Sequence, residues 1–369
     1  MLLGAHGCLW EELIKRKVSV MACHDRFNKI IEMPYIVILL FFLCSCSPQR
    51  SQFDFPNVEQ GNVDKIFETF VSIPLEMEKR GDMIFVSDFK GDSLLWCYNL
   101  NDSNNVKRLL PRGEGPDEFL SPVQFFLSDT TMFVYNRWHF WGKEYGFDSN
   151  KLSMKPLSTT VHYSTDIDMI YPLAENHWIA SGRFEDCRFL IMDDKGNIVY
   201  RGGDYPDYNE GEEDIPNFPK FMFHQSMFGF NRLTSRLVSV TSHVFELWKY
   251  SDGKLSLYKR ELLSPYKYKY GAGEEWASAV ADENTETGVK RIYATQNNIY
   301  MLYDSNTPQM YRDKKDIFNS EIWVFDWDGK PIRKIKTDSR LICFCIDEKG
   351  EYIYCMLNAP EPSIGKIKL

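Results

Sequence analysis

Residues 83–100 read MIFVSDFKGDSLLWCYNL. A run in which apolar side chains alternate, MIFVSD, reaches a polar break holding Gly91 and Asp92, and a second apolar run follows it. A side-chain period of two, bounded by turn formers, predicts two short antiparallel strands rather than a helix. The same layout recurs at residues 131–135 (TMFVY), 178–181 (WIAS), 236–240 (RLVSV), 299–303 (IYMLY) and 341–346 (LICFCI), which makes six units. Several units add an Asp-rich turn with a glycine, at residues 192–197 (MDDKGN), 250–254 (YSDGK), 326–330 (DWDGK) and 347–350 (DEKG). Glycine supplies the positive φ such turns need, and aspartate bonds its own backbone. Spread over residues 55–369, six units take roughly fifty residues each, the period of propeller blades. The expected fold is all-β: a six-bladed β-propeller of four-stranded antiparallel blades.

One segment makes the reading more specific. Residues 110–119, LPRGEGPDEF, are similar to the Gly-x-Gly-Pro-Gly-Glu-Phe stretch after the first full blade in six-bladed propeller lipoproteins of Bacteroides-type bacteria, the TolB-like or NHL-like group. Asp117 stands where that group usually has glycine. The resemblance covers about residues 55–369 and implies a fold; it implies no activity.

The N-terminal region gives an address. In residues 35–46, YIVILLFFLCSC, the eight apolar residues 36–43 are too short for a membrane-spanning helix, which needs about 20, but suit the core of a secretory signal. Arg26 and Lys29 supply its positive flank, and Met21 is the more ordinary start. Residues 43–46 (LCSC) resemble a lipobox, in which Cys46 would receive the lipid and become the first mature residue; a buried strand or core helix ending in cysteine is the competing reading. Residues 47–50 (SPQR) lack an aspartate beside the anchor and an acidic cluster, which by resemblance to Gram-negative lipoproteins favours the outer membrane and its periplasmic leaflet over the cell surface. The expected layout is an extension and lipoprotein signal peptide in residues 1–46, a linker in 47–60 and the propeller in 61–369.

With 52 Asp and Glu against 43 Lys and Arg, the net charge of −9 disfavours nucleic acid as a partner. Five cysteines remain beyond Cys46, namely Cys97, Cys187, Cys343, Cys345 and Cys355. An odd set makes no complete disulfide framework, though a link from Cys343 or Cys345 to Cys355 across a hairpin stays open. No metal site is expected: the cysteines lack histidine at ligand spacing, and the Asp326/Asp328 turn lacks the far acidic ligand of a calcium loop. No cofactor motif is present either.

Candidate binding residues fall in loops. Arg112, Glu114 and Glu118 lie in the Gly-rich segment, where the rival expectation is an inter-blade crossing with Arg112 paired to Glu114 or Glu118 and Phe119 plugged between blades. Arg137 and His139 flank Trp138 in an aromatic turn suited to stacking on a sugar or gripping an anion. Arg183, His224 and His243 sit near strand starts, where side chains are expected to face the central channel. Residues 91–94 (GDSL) resemble the motif of a serine hydrolase family, but no histidine has an aspartate three residues before it, so a hairpin turn is expected. Residues 264–270 (SPYKYKY) alternate aromatic and basic side chains, either as a ladder for polyanions or as lysines guarding a sheet edge. The polar insertions 204–220 and 304–316 read as recognition loops or solvated excursions.

No catalytic residues are assigned. The leading expectation is a non-catalytic envelope lipoprotein that meets the membrane through its anchor and binds or scaffolds a protein or glycan partner. The alternative is a glycan lyase or hydrolase in the central funnel, which requires Arg112, Glu118, Arg137, His139, Arg183 and His224 to converge.

Overall fold

The computed structural model describes residues 53–369 apart from 116–117, 129, 149–152, 165, 175, 274–275, 315–316 and 358–360. Cys46 and the signal segment lie outside the described residues.

Six sheets, each built on four antiparallel strands and two of them carrying a fifth, follow one another along the chain. Blade one comprises Pro74–Arg80, Met83–Asp88, Leu95–Asn99 and Asp102–Arg108. Blades two to five start at the inner strands Val123–Leu127, Ile167–Pro172, Met227–Asn231 and Gly288–Ala294 and continue outward in the same order. Blade six is composite: Leu341–Ile346, Tyr352–Leu357 and Ser363–Lys368 from the C-terminal end, and Asp64–Glu68 from the N-terminal end as the outer strand. The ring is thus clasped where the two ends of the chain pair.

The strong apolar character of these strands follows from where they sit. Each blade is covered on both faces, so strands read as nearly continuous apolar runs. Six buried clusters fill the wedges between neighbouring blades. Phe85, Cys97, Phe125 and Val134 fill one wedge, and Val238, Phe245, Ile299 and Phe325 another. Met77, Ile84, Cys343 and Met356 close the circle between blades one and six.

The predicted turns form where expected. Asp326 Oδ1 accepts from the backbone N–H of Asp328 (2.9 Å) and Lys330 (2.8 Å), which caps a turn with Gly329 at φ 73°. Ser93 is buried with its hydroxyl donated to the Leu95 carbonyl, a turn and not a nucleophile. All five cysteines are free and buried. Burial pushes the Cys97 and Cys343 thiols up to about 12.

Two details differ from the sequence reading. Residues 341–346 are the inner strand of blade six, whereas the other five repeats are second strands. Part of the expected linker joins the ring: Asn57–Gly61 runs parallel to Pro331–Thr337 at the edge of blade five. Phe55 packs there on Trp323 and Phe325.

Antiparallel order puts two kinds of connection on one side of the disc: the turns between second and third strands, and the crossovers from outer strand to next inner strand. The longest connections are all of these kinds. The crossover from blade three to four carries helix α1 (Asn217–Phe223), and that from blade four to five carries the hairpin Tyr268–Ala272/Ala277–Ala281. The second-to-third connection of blade five carries α2 (Pro308–Asp313), capped by Thr307, whose hydroxyl accepts from the Met310 N–H. This side is termed the loop face below.

Candidate functional site

Exposed aromatics gather on the loop face. Among the described residues eight aromatic side chains are prominently exposed: Phe70, Phe89, Trp138, Tyr208, Tyr258, Tyr270, Trp276 and Phe318. Seven of these, all but Tyr258 on an outer strand, lie in connections or the hairpin of the loop face. Phe70 is 71% exposed, Trp138 64%, and Trp276 and Phe318 57% each. Large aromatics left in water on one face are an interface composition, since they add contact area at little entropic cost.

The face is held rigid by a buried polar network under the 204–220 insertion, which is folded. Glu212, only 2% exposed, accepts from the Tyr208 N–H (3.0 Å), the Asn209 N–H (3.1 Å) and Nδ2 (3.1 Å), the Tyr266 hydroxyl (3.0 Å) and His224 Nε2 (3.0 Å). Burial alone would raise this carboxyl; the hydrogen bonds from His224 and the backbone outweigh it and hold it at about 2. An ionised carboxylate only accepts, so His224 carries its proton on Nε2. Burial keeps that imidazole neutral, its pKa below the ordinary value. Beneath lies Arg188, 1% exposed, which donates to Glu246 Oε2 (2.7 Å) and Ser226 Oγ (3.0 Å); Glu246 Oε1 accepts from Arg260 Nε (2.7 Å).

A cavity of about 330 Å³ opens beside α1. Its walls include Phe223 and Gln225 near α1, Ser242 and His243 from blade four, Ala281 from the hairpin, and Glu286 ahead of blade five. His243 bonds Ser264 Oγ through Nδ1 (3.0 Å), and burial drops its pKa to about 3. Tyr268, Phe223 and His243 form a stack, with Phe223 4.0 Å from Tyr268 and 5.6 Å from His243 between ring centres. Glu286 accepts from the Tyr303 hydroxyl, and burial raises its carboxyl. The His243 loop can approach because Gly288 has φ 76° and no Cβ, which would lie 2.1 Å from the Ser242 carbonyl oxygen.

A second cavity, of about 320 Å³, is the central channel, with side chains from all six inner strands. Glu76, Glu78, Arg80, Arg232 and Arg291 supply its charges. Burial raises Glu78 to about 7 against Arg80 and a 3.1 Å hydrogen bond from Tyr293, and it raises Glu76 as well. A carboxyl with a raised folded pKa stabilises most below its ordinary value of 4.5, and that contribution is lost as pH rises through 7. Glu78→Gln is therefore expected to gain on the parent chain between pH 5 and 8, by about 2 kcal/mol after discounting for partial exposure. Urea unfolding at the two pH values measures this, and an equal difference at both would refute it.

The seven sequence candidates all lie in connections of the loop face, and their polar contacts are with different neighbours. Arg112 donates to the Phe89 carbonyl (2.6 Å) rather than to Glu114 or Glu118. Glu118 Oε2 accepts from the Gly115 N–H (2.9 Å), and Glu114 is exposed in the same loop. Phe119 is the expected plug, buried between blades one and two. Arg137 is ion-paired with Asp168 at the channel mouth, near enough to Glu76 to lower it. His139 is exposed, its N–H donated to Asn136 Oδ1 (3.3 Å). Arg183 lies 3.9 Å from Asp166 and over the Phe218 ring. Contrary to expectation, neither Arg183 nor His224 nor His243 is among the described residues lining the channel: Arg183 and His243 sit in turns between second and third strands, and His224 follows the 204–220 insertion. The 264–270 segment likewise turns Tyr266 inward onto Glu212 rather than forming a continuous ladder. Sequence reasoning missed Glu212, Arg188 and Glu246; the acidic residues looked like a solvated run, and Arg188 and Glu246 are 58 positions apart.

A family model described as "TolB-like 6-blade propeller-like" matches residues 54–349. The solved structure of a Bacteroides fragilis NCTC 9343 protein inferred to be exported aligns with a TM-score of 0.54 and 10% identity, over 84% of this chain and 98% of that one. A member of the DUF4221 family from Bacteroides vulgatus ATCC 8482 aligns with a TM-score of 0.49 and 11% identity, over 84% and 96%. Such identities speak for the fold alone. No curated protein matches the chain.

Proposed function

The chain belongs to the TolB-like 6-blade propeller-like family, a name that denotes a scaffold and no reaction, and from that premise we propose that it is an exported binding lipoprotein. Cys46 carries the lipid at the outer membrane, and the loop face receives a protein or glycan partner in the envelope without chemistry. The observation that carries the binding role is the gathering of seven of the eight exposed aromatics on that face. Export and the anchor draw support from the signal-like residues 36–43, the Leu-Cys-Ser-Cys motif and the description of the B. fragilis protein as exported. The glycan lyase or hydrolase reading needed six side chains at one point, and five of them, Arg112, Glu118, Arg137, Arg183 and His224, have separate polar neighbours.

One experiment tests both parts. The full chain, expressed in a Gram-negative host, is cross-linked in the envelope and extracted. The parent protein should enter the detergent phase with a partner, Cys46→Ala should move to the aqueous phase, and a Trp138/Trp276/Phe318→Ala triple variant should lose the partner by about tenfold or more with its thermal midpoint unchanged. Membrane retention of the Cys46 variant would end the anchor assignment. Undiminished capture by the triple variant would end the loop-face assignment.

A further inference from the structure

We infer that the cavity beside α1 is a subsite for an uncharged, hydroxyl-rich ligand, that is, a neutral saccharide unit. The inference rests on the loop face being the contact surface and adds the chemistry of what enters it.

The wall composition excludes most alternatives. Among the described residues no lysine or arginine lines the cavity, so none neutralises a phosphate, sulfate or carboxylate there. One carboxyl lines it, Glu286, and one of its oxygens is already engaged by Tyr303, a poor donor set for a divalent cation. What remains is a set of hydrogen-bonding groups: the Gln225 amide, the Ser242 hydroxyl, the second Glu286 oxygen and the His243 ring.

His243 is the telling member. It is 3% exposed, its Nδ1 is taken by Ser264, and its ring lines the cavity, which leaves Nε2 as the nitrogen to meet a ligand. A ring nitrogen at a cavity wall is available to a group that enters the cavity. A sugar hydroxyl both donates and accepts, so it satisfies this nitrogen in either tautomer. Beside it, the ring of Phe223, held in place by its stack on Tyr268, offers a stiff apolar edge for the C–H groups of a sugar ring. The volume of about 330 Å³ is at the low end for small-ligand sites, which suits one or two sugar units rather than a long chain.

The test is saturation-transfer NMR on the full-length protein in an amine-oxide detergent, since maltoside head groups would compete. The probes are the neutral tetrasaccharides of maltose, cellobiose, mannobiose and chitobiose type, with 3′-sialyllactose and inorganic phosphate as charged controls. At least one neutral probe should bind, and Gln225→Ala and Glu286→Gln should each weaken it about fivefold or more with folding intact. The assignment is overturned by absence of transfer from every neutral probe up to about 10 mM, by equal binding of a charged control, or by indifference to both substitutions. Partner capture separates the two levels. If Gln225→Ala still captures the partner while saccharide binding fails, only the subsite is lost; if the aromatic triple variant also captures it, the loop-face reading falls as well.

Discussion

Replacing Glu246 by alanine is expected to lower stability by about 4 kcal/mol, because it strands a guanidinium deep in the protein. Arg188 is 1% exposed and would keep only Ser226 Oγ and the Asp204 carbonyl as acceptors. The loss follows from an unpaired buried charge rather than from the worth of the pair. Replacing both partners by Arg188→Met and Glu246→Leu should therefore recover most of it. Arg260→Ala, which removes the partly exposed partner, should cost about 1 kcal/mol or less. Denaturant unfolding of the three variants at pH 7 decides the matter. A Glu246→Ala protein as stable as its parent would show that the pair is not closed off from water.

Glu212→Ala is expected to cost about 3 kcal/mol at pH 7 and to free the 204–220 insertion. Five donors lose their acceptor at once, two of them backbone amides at the turn that starts the insertion. The pH dependence has a definite sign. A carboxyl lowered from 4.5 to about 2 stabilises above pH 4.5, and the contribution fades as pH falls toward 2. The lowered imidazoles of His224 and His243 act in the same direction over a higher window, since the unfolded chain takes up protons from pH 6.5 downward and the folded one does not. The variant should thus differ most from its parent near neutrality and converge with it in acid. Limited proteolysis should cut between residues 204 and 220 in the variant only; cleavage of neither protein there would mean that Glu212 does not hold the insertion.

The fold was legible because its signals are local. Alternation over four to six residues and the glycine turns each report on a single hairpin, and six such reports add up to a ring. The position of residues 341–346 within their blade is not legible, because an inner strand covered by two neighbours and a second strand covered by two neighbours carry the same apolar pattern. Asn57–Gly61 escaped notice because NVEQG is polar and mostly exposed, and only its pairing makes it a strand. The site was less legible still. Arg112 and Glu118 share a loop without pairing, whereas His224 and Glu212 meet across 12 residues and Glu212 and Tyr266 across 54. Such meetings depend on how crossovers fold back over the blades, which no spacing encodes.

The parallel strand at the edge of blade five bears on how the molecule takes tension. A pull on the N-terminal end that runs along the axis of Asn57–Gly61 would load its whole ladder against Pro331–Thr337 in shear rather than unzip it one bond at a time. The ring of Phe55, wedged against Trp323 and Phe325, adds friction to that slide. The clasp strand Asp64–Glu68 lies beyond it in the chain. Load from a tether would be spent on a sacrificial edge before it reached the one joint at which the disc can open.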